Sequence, residues 1–158
     1  MARARVETRR EGYTARVRTS ISAVGAASPA VCWERYADLD RWSAWAPQIT
    51  GVDAPERRLR AGLRGRVRAA GLLRIPFEVI AVDEQARTWS WRVALGPVRL
   101  RRDHGVEAAP EPEGEPSTAA GPGTRTWLVT TGPAPVVAPY TPIALVALHS
   151  LLLDRPDR

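Results

Sequence analysis

Residues 132–153 read GPAPVVAPYTPIALVALHSLLL, and no residue in 126–153 carries a formal charge. An uncharged run of that length raises the question of a membrane span. Pro133, Pro135, Pro139 and Pro142 argue against one continuous helix through it, because each proline lacks an amide and crowds the preceding turn. The uninterrupted helical part is 142–153, with Thr141 as its cap. Its twelve residues rise about 18 Å, well short of a hydrocarbon core of about 30 Å. No membrane span is expected, and a helix apolar on every side belongs inside a protein. The rest of the chain has to supply what surrounds it.

Upstream, the pattern is that of strands. Tyr13, Ala15, Val17, Thr19 and Ile21 alternate with Thr14, Arg16, Arg18 and Ser20, which is the period of a half-buried strand over about 13–23. Ser28-Pro29 then opens a helix, serine as cap and proline in the first turn. Val31, Cys32, Tyr36 and Leu39 give its apolar stripe, a second short helical piece runs to Trp45, and Pro47 ends it. Further strands are expected near 49–56, 62–70, 72–82, 87–95 and 98–109, with a last one at 124–131. Ala70-Gly71, Asp83-Glu84-Gln85 and Gly96-Pro97 punctuate them as short turns, so consecutive strands are antiparallel neighbours. Residues 110–123, with four prolines, three glycines and three glutamates, read as a mobile loop. Residues 1–12 read as a basic flexible tail and 154–158 as a second tail, leaving 13–153 as one domain. The fold class is α+β: a seven-stranded antiparallel sheet that must curl around the C-terminal helix to cover its apolar face.

Composition narrows the function classes. The chain has 158 residues, a net charge of +6 and a single cysteine, so it builds one core and no internal disulfide. All 23 basic residues are arginine, and lysine and asparagine are absent. A genome with GC-rich codons would produce that bias without any partner, so the basic balance is weak evidence for a nucleic acid or an anionic membrane surface. Residues 1–12 contain four arginines and no apolar run, so no secretory leader is expected and the expected compartment is the cytoplasm.

Several stretches together resemble a known family. They are SPAVCWERYADLDRWSAWAPQI (28–49), WSWRV (89–93), HGVE (104–107), GTRT (123–126) and the terminal 132–153. Over about 13–153 the chain resembles the START/Bet v 1-like (SRPBCC) superfamily, in particular its polyketide cyclase/dehydrase-type bacterial members. The resemblance implies a helix-grip fold with an apolar cavity between sheet and C-terminal helix. It also implies a lipid, sterol, polyketide or similar greasy small molecule as ligand, with catalysis in only some members.

The residues themselves offer few chemistries. No phosphate-binding, dinucleotide-binding or clustered Cys/His motif is present, so neither metal nor cofactor is expected. Cys32 reads as a small buried hydrophobe. Around the sixth strand, Val98, Leu100, Arg102, His104 and Val106 share the apolar face, which carries Arg102 and His104 inward. A buried arginine needs a partner, either a protein carboxylate or a carboxylate or enolate on a ligand; the alternative is a stem snorkelling to the rim. His104 either moves protons or makes one hydrogen bond in the core.

Trp89, Trp91, Phe77 and Val79 are placed as a flat cavity wall, or else as core filling. Trp42 and Trp45 are a lid at the cavity mouth, or staples between helix and sheet. On the last helix Tyr140, Ala144, Ala147 and Leu151 form a stripe, with the Tyr140 hydroxyl toward the cavity. Trp127 does not choose a face, and His149 is a core or surface histidine. Arg64, Arg66, Arg68, Arg99 and Arg101 gather on the outer sheet face, which reads as solvated and partly ion-paired.

Binding of a small hydrophobic ligand is therefore the expected function. A cofactor-free polyketide cyclase, aromatase or dehydratase is the alternative, with His104 or Tyr140 taking a proton alpha to a carbonyl and Arg102 steadying the enolate. An RNA- or membrane-interacting module using the arginine-rich face is a third.

Overall fold

The computed structural model describes residues 3–9, 15–110 and 123–153. Along the first half run β1 (Arg3–Arg9), β2 (Arg16–Gly25), α1 (Pro29–Ala37), a 3-10 turn (Leu39–Arg41), α2 (Trp42–Trp45) and β3 (Ile49–Asp53). There follow β4 (Arg64–Ala69), β5 (Leu73–Asp83), β6 (Thr88–Leu95), β7 (Val98–Ala108), β8 (Thr124–Pro133) and α3 (Ala134–Leu151). All eight strands form one antiparallel sheet in the order β1-β2-β8-β7-β6-β5-β4-β3. The helix-grip architecture is present: a curved sheet holds α3 on its apolar side, with α1 and α2 closing one end. The sheet bends where pairing slips by a residue, between Ile49 and Gly51 in β3 and between Val79 and Ala81 in β5.

The alternation works as read. Val17, Thr19, Ile21 and Ala23 of β2 are buried while Arg16 and Arg18 are exposed. Ser28 caps α1 by accepting from the Val31 amide, with Pro29 in the first turn.

Two expectations need correction. Within 1–12, residues Arg3–Arg9 are not a tail: they pair along β2 from Arg3↔Ser22 to Arg9↔Arg16. Without them β2 would present an open edge of amides and carbonyls, and an adjacent segment with strand alternation satisfies it. The remainder of that segment and the tail at 154–158 lie outside the described residues, as does the loop expected at 110–123 apart from its two ends. Those ends meet, with the Ala109 amide bonded to the Gly123 carbonyl at 2.7 Å.

The second correction concerns α3. It starts at Ala134 rather than after Thr141 and runs through Pro139 and Pro142 for 18 residues, about 27 Å at 1.5 Å per residue. Pro135 sits in the first turn, where its missing amide costs nothing. Pro139 and Pro142 deprive the carbonyls of Pro135 and Ala138 of their usual donors, but all four residues are exposed, so water serves instead. Thr141 is no cap; its hydroxyl donates back to the Val137 carbonyl at 3.1 Å.

Nor is α3 buried all round. Val137, Ala144, Ala147, Leu148 and Leu151 face the sheet, whereas Ile143, Val146 and His149 are exposed. Among the described residues α3 is the one helix long and apolar enough to cross a membrane, and here it is the core helix gripped by the sheet.

Its C-terminal end is fixed from α1. Arg35, buried, donates through Nη1 to the carbonyls of Leu151 at 2.7 Å and Leu153 at 2.8 Å. The Ala27 amide reaches the Leu152 carbonyl, and Gly25 lets the helix end approach, since a β-carbon there would lie 2.6 Å from that of Leu152.

Candidate ligand-binding site

Between α3 and the sheet lies a cavity of about 170 Å³. Its walls come from β3 to β8, its roof from α3 and one end from α2. Nine of the eleven residues singled out from the sequence line it: Trp42, Trp45, Trp89, Trp91, Arg102, His104, Tyr140, Ala144 and Ala147.

Phe77 and Val79 do not line it. The indole of Trp42 projects from α2 and stands 6.1 Å from the Phe77 ring, with Trp91 at 5.6 Å, so Phe77 is covered. Val79, at the bulge of β5, is buried in the same core.

Trp42 and Trp45 are staples as well as walls. Their indole nitrogens donate to the backbone carbonyls of Tyr36 and Arg35, each at 2.9 Å, which holds α2 against α1. Both are buried, and Trp42 contacts Trp89 and Trp91 at 5.5 and 5.3 Å. They form a fixed end of the cavity rather than a lid.

His104 is enclosed. Its ring stacks on Trp89 with centroids 4.3 Å apart and planes within 8°, and Tyr36 meets it edge-on. Trp91 Nε1 donates to His104 Nε2 at 3.1 Å, so the imidazole proton sits on Nδ1. Burial first, and the nearby charge of Arg102 second, hold the imidazole well below the ordinary histidine range. This is a neutral ring with its basic lone pair already engaged.

Arg102, 8% exposed, lies next along the same face of β7. Its guanidinium stacks over Tyr140 at 4.0 Å and stands 5.9 Å from the Trp91 ring. The Tyr140 hydroxyl in turn accepts from Gln48 Nε2 at 2.8 Å.

A family model described as polyketide cyclase / dehydrase and lipid transport matches residues 14–146. The chain belongs to that family. Among solved structures, the chain is similar to the one titled "Crystal structure of Ara h 8.0201", with a TM-score of 0.62 and 14% identity. That match covers 96% of this chain and 95% of the other, and it carries the fold alone. No curated protein matches the sequence.

As a member of the polyketide cyclase / dehydrase and lipid transport family, the protein has the architecture for binding a hydrophobic ligand. Leu100, already placed on the inner face of its strand, lines the cavity too, while Gln48, Val67, Ile75, Val136 and Leu148 do so without having been singled out in the sequence. Gln48 follows Pro47 in a connecting segment, and no periodicity marks it. Leu100 was legible, since it shares the inner face of β7 with Arg102.

Elsewhere, Cys32 is fully buried and burial pushes its thiol up to about 11. Trp127 lies on the outer face, half-buried over Gly105. His149 is exposed. On the outer sheet Arg64 and Arg92 share Glu78, Arg68 pairs with Asp53, Arg101 with Asp103 and Arg125 with Glu107. Much of that basic face is thus neutralised by local ion pairs, each a weak solvent-exposed contact.

Proposed function

We propose that the protein binds one small, largely apolar molecule of ring size in the cavity beneath α3, as a carrier in the cytoplasm. The observation that carries this reading is the lining itself: four indoles and a tyrosine around about 170 Å³ of space, with alanines at positions 144 and 147 of α3. An apolar cavity of about 150 Å³ takes a benzene ring, so the space suits one or two fused rings or a short chain. A full-length acyl chain exceeds it.

The catalytic alternative is less well supported. A general base needs a free lone pair and a pKa near the working pH. His104 has its Nε2 engaged by Trp91 and is driven toward the neutral state by burial.

Native mass spectrometry of the purified protein tests the reading directly: a 1:1 adduct with the mass of a one- or two-ring compound is expected. Titration with a naphthalene-sized probe should saturate at one site. Ala144→Phe, which fills the cavity from α3, should abolish that binding while leaving the circular dichroism unchanged. Unsaturable uptake, or binding indifferent to the filled cavity, would refute the proposal.

A further inference from the structure

Among the described residues, the buried side-chain polar atoms that lack a hydrogen-bond partner are Arg102 Nε, His104 Nδ1, Trp89 Nε1 and Gln48 Oε1. All four belong to residues lining the one cavity between α3 and the sheet. Buried polar atoms are ordinarily satisfied, so four unpartnered ones on residues around a single space point to a partner that the protein does not itself supply. Three of the four are donors: the guanidinium nitrogen, the indole nitrogen and, with Nε2 accepting from Trp91, the protonated Nδ1. The missing partner is therefore rich in acceptors.

Arg102 fixes its charge. A guanidinium stays protonated at any ordinary pH, and one buried without a counter-ion is strongly unfavourable. No carboxylate lines the cavity. The cross-strand neighbours of Arg102 are Trp91 and Thr130, neither of them acidic. Asp103, the next residue, turns to the other face and pairs with Arg101. What Arg102 does touch are ring faces, Tyr140 at 4.0 Å and Trp91 at 5.9 Å. Stacking occupies the flat side of a guanidinium and leaves the N–H edge free, the edge that takes a carboxylate through two parallel bonds. Tyr140 adds to this: its oxygen accepts from Gln48, so its own proton is left to donate.

We infer that the ligand is an amphipathic anion, an aromatic or alicyclic body bearing a carboxylate or equivalent oxyanion that seats on Arg102. The inference rests on the carrier reading above and names its ligand class.

The test is isothermal titration calorimetry near neutral pH with naphthoate and its neutral isostere naphthamide, on the wild type, Arg102→Met and Arg102→Lys. The wild type should prefer naphthoate by about tenfold to a hundredfold, the range expected for a charge-assisted bidentate contact. Arg102→Met should erase the preference while still binding naphthamide, and Arg102→Lys should keep part of it.

Equal, saturable binding of both probes by the wild type would leave the carrier reading standing and overturn the anion. A preference for naphthoate that survives in Arg102→Met would also overturn it, by placing the anion elsewhere. If neither probe binds the wild type, the cavity reading fails and the anion with it. The wild-type comparison decides even where Arg102→Met does not fold.

Discussion

Arg35→Met removes two donors from the end of α3 while keeping an unbranched apolar stem of similar reach. The wild-type guanidinium donates to the carbonyls of Leu151 and Leu153 at 2.7 and 2.8 Å from a buried position. Hydrogen bonds to a charged group are worth about 1.5–3 kcal/mol each. A cation at a partly buried helix C-terminus adds up to about 2 kcal/mol, by the same contact counted another way. These figures overlap, and methionine recovers some packing, so the expected loss is about 3 kcal/mol. Urea unfolding followed by far-ultraviolet circular dichroism reads it as a lower midpoint at unchanged slope. In a domain of this size the melting temperature should fall by about 6–12 °C. Amide exchange should quicken in the last turn of α3 and stay unchanged in β5 and β6. A loss below about 1 kcal/mol would show that the buried arginine does not hold the helix end.

Other outcomes follow from the same geometry. Folded His104 stays neutral where an unfolded histidine protonates near pH 6.5, so the unfolded state gains the extra proton and stability falls as pH drops below about 6.5, at up to about 1.4 kcal/mol per unit. His104→Phe keeps the stack on Trp89 and should flatten that slope; identical slopes in melts between about pH 7 and 5 would rule the assignment out. A β-carbon on Gly105 runs into the Trp127 ring, so Gly105→Ala should cost about 1–3 kcal/mol. Trp127→Ala in the same chain should recover much of that loss in a double-mutant cycle, and strict additivity would contradict the clash. Cys32, its thiol pushed up to about 11, should react with a disulfide reagent only as fast as the protein opens, whereas rapid labelling of the native state would mean that it is accessible.

Most of the sheet was legible because its strands bury one face only. In β2 and β7, arginines on the outer face write the period of two into the sequence, and the inward positions of Arg102 and His104 follow from it. The α1 cap was legible for a local reason, Ser28 followed by Pro29. What escaped depends on distant partners. Pro139 and Pro142 forbid a buried helix but not one whose far side meets water, and the sequence does not say which side that is. Arg35 looks like any helix-surface arginine until α3 arrives above it, 116 residues later in the chain. The wall assigned to Phe77 and Val79 is correct for the strand alone. It fails because Trp42, from another element, takes the space in front of Phe77. Likewise Gln48 has no partner in sequence; Tyr140 is brought to it by the fold.

The strand order imposes a timetable on the birth of the protein. β3 to β7 follow one another as hairpins and can zip as they are made. β2 has β8 as its other neighbour, with Ile21 opposite Leu128, more than a hundred residues downstream. At about 5–20 residues per second on the ribosome, that strand waits roughly 5–20 s for its partner. Long-range pairing of this kind is slow to nucleate, because loop closure precedes any reward from contact. Throughout the delay β1 can shield only one edge of β2; the other edge stands unpaired, and the inner face with Val17 and Ile21 lies uncovered beside a tryptophan-rich segment, because the helix that the sheet grips has not yet emerged. Completion of α3 thus fixes the roof of the cavity and ends the period in which the nascent chain is prone to aggregate.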